Sequence, residues 1–157
     1  MEPKEVAHCL VVRDSKILMI KQKRDGREFY AIPGGGIEQD ETPEQAAIRE
    51  LWEECNVSGK IIRKLSTFYY PYFGTTGHTF HMDIGDQTPK LGPNLDEAER
   101  NDLQEVRWMA LDELSERDRC FLWASGLLGV LEFWNELVSW GDDISFPRKR
   151  TELLTKL

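Results

Sequence analysis

Three acidic residues, Glu50, Glu53 and Glu54, lie close together in a segment with a helical pattern. Residues three or four positions apart are neighbours on a helix, so these carboxylates share one face. Each like-charged pair costs about 0.2 to 0.5 kcal/mol, and acids in the last turn also oppose the helix dipole. Clustered oxygen ligands are typical of Mg²⁺ or Mn²⁺ sites, where a divalent cation would reverse the repulsion.

The start of this helix is well marked in the sequence. Thr42 can cap it, Pro43 suits the first helical position, and Gln45 stands where the partner of a capping box belongs. The helical period also predicts an apolar face that can pack on a sheet. This predicted face consists of Ala47, Ile48, Leu51 and Cys55.

The acidic face has two explanations. An acidic helix is often only a solvated surface. Here, however, a Pro-Gly-Gly-Gly turn at 33–36 comes shortly before the helix, and it can bring backbone carbonyl and N–H groups close to the carboxylates. This neighbourhood favours a metal site.

The stretch from Gly35 to Val57 resembles the signature of the Nudix hydrolases, G-x5-E-x7-R-E-U-x-E-E-x-G-U, in which U is a bulky aliphatic residue. One fixed position departs, because Asn56 stands where the family has glycine. Asparagine tolerates the left-handed end of a helix well, so we expect the turn to persist at a small energetic cost. The matching positions are Gly35, Glu41, Arg49, Glu50, Leu51, Glu53, Glu54 and Val57.

The resemblance implies a fold and a reaction. The family has an α/β/α sandwich with a central mixed β-sheet, and its members cleave a phosphoanhydride in a nucleoside diphosphate linked to another group. By this likeness Mg²⁺, with Mn²⁺ as a second candidate, is held by the carbonyl of Gly34 and by Glu50, Glu53 and Glu54, while Arg49 orients the carboxylates. An anionic diphosphate can enter such an acidic pocket only with a bridging metal.

The general base is not fixed by the signature. Glu50 is the first candidate and Glu53 the second, since a carboxylate not fully committed to metal can take a proton from water. Related enzymes sometimes add an acid from a downstream loop, and Asp102 and Glu105 are candidates here, although solvated loop charges are the more common explanation of such residues. Glu41 is expected to support the loop.

The group linked to the nucleotide stays open: ADP-ribose, another nucleotide sugar or a nucleoside triphosphate. Arg24 and Arg27 precede the glycine turn and are candidate contacts to phosphates, with a flexible solvated loop as the alternative. Tyr30 and Tyr70 are candidate substrate-binding rings, although the aromatic run around Tyr70 is expected to lie mostly in the core. The resemblance associates a downstream proline, here Pro71, with ADP-ribose cleavage.

Composition limits the partners. The 157 residues carry a net charge of −8 and a pI near 5.0, which argues against duplex nucleic acid or an anionic membrane as a partner. Three cysteines without a C-x-x-C spacing, and an N-terminus without a long apolar core, favour a cytoplasmic protein. Length predicts one domain over 1–157, with a helical segment from about 115.

The remaining elements follow from local patterns. We predict a hairpin of strands at 6–12 and 16–21, a strand pair turning at 74–77, an exposed loop at 88–102, and a longest helix from Cys120 to Trp140. The apolar residues of this helix spread around it, which either a homodimer interface or deep packing would explain. They are Leu122, Trp123, Leu127, Leu128, Leu131, Trp134 and Leu137.

Two other functions compete with hydrolysis. One is a non-catalytic, nucleotide-binding regulatory module on the same fold, which would be expected to lose the metal-side acids. The other is a structural acidic helix on a protein-interaction domain. Because all three acids are present, the sequence favours the hydrolase.

Overall fold

The structure is a computed structural model that describes residues 4–93 and 95–139. Within these ranges the chain forms two β-sheets flanked by helices. The strands are β1 (Lys4–Leu10), β2 (Val12–Arg13), β3 (Lys16–Arg24), β4 (Arg27–Ala31), β5 (Gly34–Gly36), β6 (Lys60–Tyr70), β7 (Thr75–Asp83) and β8 (Leu103–Met109). The α-helices are α1 (Pro43–Cys55), α2 (Glu97–Asp102), α3 (Glu116–Ala124) and α4 (Leu131–Ser139), with 3₁₀ turns at Leu111–Glu113 and Leu127–Gly129.

The first sheet is mixed and has the strand order β5-β1-β7-β6. Strands β1 and β7 run parallel, whereas β5 and β6 are antiparallel to their neighbours. The second sheet is antiparallel: β3 pairs with β2, β4 and β8. In the first sheet His8 pairs with Gly34 on one side and Thr79 on the other, so β1 connects the glycine turn to the centre of the sheet.

Alternate residues of β1 enter two separate cores. Ala7 and Cys9 belong to a core with Leu51 of α1, and Leu10 belongs to a second core with Leu122 of α3. Helix α1 therefore covers one core, and the C-terminal helices cover the other. The predicted α/β/α sandwich with a mixed central sheet is confirmed.

The buried face of α1 differs from the predicted one at one important point. Ile48 is 42% exposed, while Ala46 is buried. The buried face is rotated about the helix axis relative to the predicted one, so that Glu50 and Glu54 lie on it beside Leu51. The helical period was right, but it could not show that two acids share the buried side.

The predicted hairpins need two corrections. Strand β1 joins the first sheet, and only β2 pairs with β3, around Asp14 and Ser15, which both have positive φ. The turn between β6 and β7 lies at 71–74, so Thr75 already begins β7. The backbone of Phe73 donates to the Tyr70 carbonyl in this turn, at 3.1 Å.

The segment predicted to be an exposed loop, 88–102, is partly ordered against α1. Leu95 is buried, and α2 begins after an Asp96 cap. The backbone N–H groups of Lys90 and Gly92 donate to the carbonyls of Cys55 and Glu54. The loop thus covers the C-terminal end of α1 and supplies donors that the last turn lacks.

The predicted long helix is interrupted. Gly126, with φ of 86°, separates α3 from the following 3₁₀ turn and lies against Leu65, where a side chain would not fit. Trp140, its predicted end, lies outside the described residues. Leu122 and Leu127 are buried, whereas Leu131 and, to a lesser degree, Leu128 and Trp134 are exposed. The homodimer remains a prediction.

The described helices are short. The longest, α1, has 13 residues, and α3 and α4 have nine each. Within residues 4–93 and 95–139, no helix combines the length and apolar character that a membrane crossing requires.

Candidate active site

The first turn of α1 is fully capped. The Thr42 side chain accepts from the Gln45 N–H at 3.1 Å, and the Gln45 side chain accepts from the Thr42 N–H at 2.9 Å. Pro43 occupies the first turn, where it loses no helical hydrogen bond. The predicted capping box is therefore present and fixes where the helix begins.

Arg49 binds three carboxylates at once. Its Nε and Nη2 form a forked pair with Glu41, at 2.8 and 2.9 Å, while Nη1 donates to Glu50 at 2.7 Å and to Glu53 at 3.1 Å. Nη2 also donates to the Gly36 carbonyl. The hydrogen bonds from Arg49 hold the pKa of Glu41 below its ordinary value. Glu41 thus supports the loop through Arg49, consistent with its expected role.

Glu50 and Glu54 are only 4% exposed. Glu54 Oε2 accepts from the Gly34 N–H at 3.1 Å. Glu50 Oε2 is buried and has no hydrogen-bond partner among the described residues. Burial raises the pKa of both carboxyl groups, and it does so strongly for Glu54, because each charged form loses its contact with water.

The glycine turn comes into direct contact with these acids. A Cβ at Gly35 would collide with the Glu50 carboxylate, and one at Gly34 would collide with the Ala7 backbone. The turn must therefore be made of glycine for β5 to pass so close to α1. The sequence prediction that this turn meets the acids is consistent with this geometry.

A further acid, Glu99 of α2, joins the pair. One potential ligand atom from each of Glu50, Glu54 and Glu99 lies within 4.8 Å of the others. Glu99 Oε2 accepts from the Asp96 N–H at 2.8 Å, which closes the cap of α2. The sequence analysis did not identify Glu99: the Asp96-x-x-Glu99 spacing could have predicted the cap, but no local pattern places α2 beside α1.

The other predicted acids lie outside this group of three. Glu53 is partly exposed and pairs with Arg49. Asp102 accepts from Arg24 Nε at 3.2 Å, and Glu105 on β8 lies 3.8 Å from Arg107. Their predicted roles as metal ligand, base or extra acid remain predictions.

The C-terminal end of α1 has the left-handed residue expected from the sequence. Asn56 adopts φ of 54° and ψ of 38°, and its N–H donates to the Trp52 carbonyl at 2.9 Å. Asparagine thus takes the conformation that glycine has in the family signature.

The predicted substrate contacts are dispersed. Arg24 pairs with Asp102, and Arg27 is exposed at the start of β4. Tyr30 accepts from Arg107 through its hydroxyl group and donates its backbone N–H to Asp118. Their roles as substrate contacts remain predictions.

Tyr70 lies beside His8, and the run around it is not core. Phe68, Tyr69, Tyr72 and Phe73 are exposed, which corrects the expectation that they would pack inside. Gly77 lies between Tyr70 and His8. Burial, followed by the nearby His78, lowers the pKa of His8 to about 4, so this imidazole is neutral near pH 7.

The acid group has the chemistry of a divalent cation site. Its donors are all carboxylate oxygens, two of its acids are buried, and one buried oxygen lacks a partner. Hard cations such as Mg²⁺ prefer such ligands. A cation would add positive charge beside Glu54 and beside the second oxygen of Glu50, whose first oxygen accepts from Arg49.

Solved structures identify the type of fold. The chain matches a MutT NUDIX hydrolase from Burkholderia pseudomallei with a TM-score of 0.63 at 22% identity, covering 79% of this chain and 98% of that one. A NUDIX hydrolase from Nitrosomonas europaea matches with a TM-score of 0.62 at 24% identity, covering 75% and 63%. The protein has the Nudix fold.

Sequence relatives identify the family. The NUDIX domain family matches residues 2–125. The chain is 32% identical to the ADP-ribose pyrophosphatase of Methanocaldococcus jannaschii, over 71% of this chain and 69% of the relative. It is 34% identical to the ADP-ribose pyrophosphatase of Bacillus subtilis over 66% of this chain, but this match spans only 58% of that relative. The chain belongs to the NUDIX domain family and is a hydrolase of that class.

Proposed function

We propose that the protein hydrolyses a phosphoanhydride bond in a nucleoside diphosphate linked to another group, in a Mg²⁺-dependent reaction. The observation that carries this proposal is the buried Glu50–Glu54 pair, joined by Glu99, with one unpartnered oxygen. The two pyrophosphatases among the relatives support a pyrophosphate linkage and make ADP-ribose the first substrate to test. Other nucleotide sugars and nucleoside triphosphates are the next candidates.

Glu50, Glu54 and Glu99 are the residues that would hold the cation. Glu53 and the carbonyl of Gly34 are further ligands implied by the family signature. When bound, the cation would neutralise charge on the phosphoryl oxygens and lower the pKa of coordinated water. Mn²⁺ has a similar ligand preference and is expected to substitute.

Residues of the protein itself would orient the carboxylates and accept the proton from water. Arg49 holds Glu50 and Glu53 in fixed positions through one nitrogen. Glu50 is the proposed general base, because its Oε2 is buried and has no hydrogen-bond partner among the described residues. Glu53, paired with Arg49, is the second candidate.

The test is a substrate panel with products resolved by chromatography. Wild-type protein is incubated with ADP-ribose, nucleotide sugars, dinucleoside polyphosphates or nucleoside triphosphates, with and without Mg²⁺. We expect Mg²⁺-dependent release of a nucleoside monophosphate from at least one of them. Glu50→Gln should lose this activity, whereas Glu44→Gln, an exposed acid in the first turn of the same helix, should retain it. Nucleotide binding without turnover by the wild type would instead favour the non-catalytic regulatory module.

A further inference from the structure

Four aromatic rings from two parts of the chain form a surface group, here called the aromatic cluster: Phe68, Tyr70, Phe73 and Phe121. Tyr70 is at its centre, with ring centroids 4.8 Å from Phe68, 6.5 Å from Phe73 and 5.9 Å from Phe121. The first three come from β6 and the turn that follows, and Phe121 comes from α3. The cluster therefore joins the first sheet to a C-terminal helix.

The aromatic cluster is exposed to an unusual degree. Phe73 is 55% exposed, Phe68 44% and Phe121 36%. Single exposed apolar residues are ordinary, but adjoining exposed rings usually mark a binding surface. Aromatic rings bind planar groups well because both partners offer flat, polarizable faces.

His8 and Gly77 lie between Tyr70 of the aromatic cluster and the glycine turn of the acid site. A Cβ at Gly77 would lie 3.1 Å from Tyr70 Cε2 and 3.3 Å from His8 Nδ1, so both side chains lie against this glycine. His8 in turn packs against Gly34, whose N–H binds Glu54. His8 Nδ1 is buried and has no partner among the described residues.

The guanidinium group of Arg117 lies at the edge of the aromatic cluster. The Arg117 guanidinium is 5.1 Å from the Phe121 centroid and 5.3 Å from that of Phe29. Its Nη1 donates to Asp118 at 3.3 Å, and 59% of its side chain is exposed. A flat apolar surface with an arginine at its edge matches an aromatic base that carries phosphates.

The spacing of the rings decides how a base can bind. A base held between two rings needs a gap of about 7 Å, twice the optimal carbon–carbon separation. The centroids of Phe121 and Tyr70 are 5.9 Å apart, and those of Phe121 and Phe73 are 6.4 Å apart, with tilted planes. These rings already contact each other, so a base must stack on their outer faces.

We propose that the aromatic cluster binds the nucleobase of the substrate, which packs against the exposed rings of Phe73 and Phe121 beside Arg117. This inference rests on the proposed function, because the acid site would hold the diphosphate of the same molecule. It adds two α3 residues, Phe121 and Arg117, to the candidate site. His8 lies against both Gly34 and Gly77, and Tyr70 also lies against Gly77, so the aromatic cluster is on the same part of the sheet as the glycine turn, which favours a substrate group over a protein partner.

The test separates binding of the base from cleavage of the linkage. Phe121→Ala and Phe73→Ala are compared with wild type on ADP-ribose and on a diribosyl diphosphate, which keeps the phosphoanhydride but has no base. We expect each variant to raise the KM for ADP-ribose about ten-fold, with kcat within about two-fold of wild type, as stacking on an aromatic side chain predicts. The kcat/KM for diribosyl diphosphate should not change.

Two controls make the result specific. Tyr69→Ala removes a ring from the same strand that is 53% exposed and not among the stacked rings, and it should keep the wild-type KM. Phe121→Trp keeps a large flat face and should retain the wild-type KM. An unchanged KM for ADP-ribose in both alanine variants, or equal losses on the base-free compound, overturns the proposal.

A second measurement distinguishes this proposal from the proposed function. If wild-type protein hydrolyses neither these two compounds nor any other member of the substrate panel, the proposed function fails. Titration with ADP and Mg²⁺ then decides the stacking alone: a Kd about ten-fold weaker in Phe121→Ala supports it, and an unchanged Kd overturns it. A wild-type dimer that Phe121→Ala dissociates would assign the aromatic cluster to a second copy of the chain and also overturn the proposal.

Discussion

In the N-terminal half of α1 the polar and charged groups have partners near the surface, whereas the C-terminal half buries two carboxylates, of which Glu50 pairs with Arg49 and Glu54 accepts a backbone hydrogen bond from Gly34. Thr42 and Gln45 cap each other, and Arg49 forms a forked pair with Glu41. Glu50, the residue after Arg49, and Glu54, one turn further on, are buried, and the last turn carries no basic residue. The first half of the helix thus stabilises the fold, and the second half carries the acids that we propose hold a cation.

The surrounding structure keeps the C-terminal half helical despite its charge. Gly92 and Lys90 donate to the carbonyls of the last turn, and Arg49 holds one oxygen of Glu50. Cys55 and Leu51 anchor the same turn in the core. Charge is therefore concentrated where packing and backbone hydrogen bonds can support it.

The largest expected effect is at Glu54. Glu54→Gln keeps an oxygen for the Gly34 N–H but removes the charge, so we expect Mg²⁺-dependent turnover to fall about 100-fold or more, as loss of a metal-binding group does. The metal-free protein should not lose unfolding free energy, because an uncompensated buried charge is removed. Kinetics and urea unfolding measure the two quantities. A variant that is destabilised but fully active would show that Glu54 serves the fold alone.

Substitution of Arg49 tests whether the N-terminal half of α1 stabilises the fold. Arg49→Ala leaves Glu41, Glu50 and Glu53 without their shared cation, and we expect it to lower the unfolding free energy by about 2 to 3 kcal/mol, below the range for a fully buried pair because Arg49 is partly exposed. Urea unfolding measures the loss. Arg49→Lys keeps the charge without the fork and should lose less. A loss in Arg49→Ala below about 0.5 kcal/mol would contradict the assigned role.

Loss of the Thr42 cap should lower the stability of the protein without changing kcat. Thr42→Ala removes the side-chain acceptor of the Gln45 N–H and should cost about 1 kcal/mol. Thr42→Ser retains the hydroxyl and is the matched control. Thermal unfolding and kcat are measured on the same variants. A marked fall in kcat at unchanged stability would mean that the cap acts on catalysis and that the two halves of α1 do not have separate roles.

Asn56 gives the smallest expected effect. Its φ of 54° strains an L-residue slightly, so Asn56→Gly should raise the unfolding free energy by up to about 0.5 kcal/mol, reduced by the greater freedom of glycine in the unfolded chain. Asn56→Val, which resists positive φ, should destabilise the protein clearly. If valine is tolerated as well as asparagine, the left-handed cap is unimportant.

Local patterns in the sequence predict what depends on local physics. The cap at Thr42, the left-handed end at Asn56 and the hairpin of β6 and β7 all follow from residue types at fixed spacing. The repulsion among the acids and the resemblance to the Nudix signature indicate the same site independently. The mixed sheet between helices follows from the order of the elements.

Other features depend on contacts between distant segments, which local patterns do not contain. Glu99 reaches the acid group because the loop at Lys90–Gly92 binds the end of α1. Gly126 breaks the predicted long helix where the chain passes close to Leu65. Phe121 joins the aromatic cluster only because α3 folds back onto β6.

The most direct measurement is the unfolding free energy of the metal-free protein during titration with Mg²⁺, in the absence of nucleotide. Wild type should gain about 2.7 kcal/mol when free Mg²⁺ reaches 100 times its dissociation constant, Mn²⁺ should act similarly, and Glu54→Gln should gain far less. Equal stability of the wild type with and without saturating Mg²⁺ and Mn²⁺ would contradict the central claim that Glu50, Glu54 and Glu99 form a cation site.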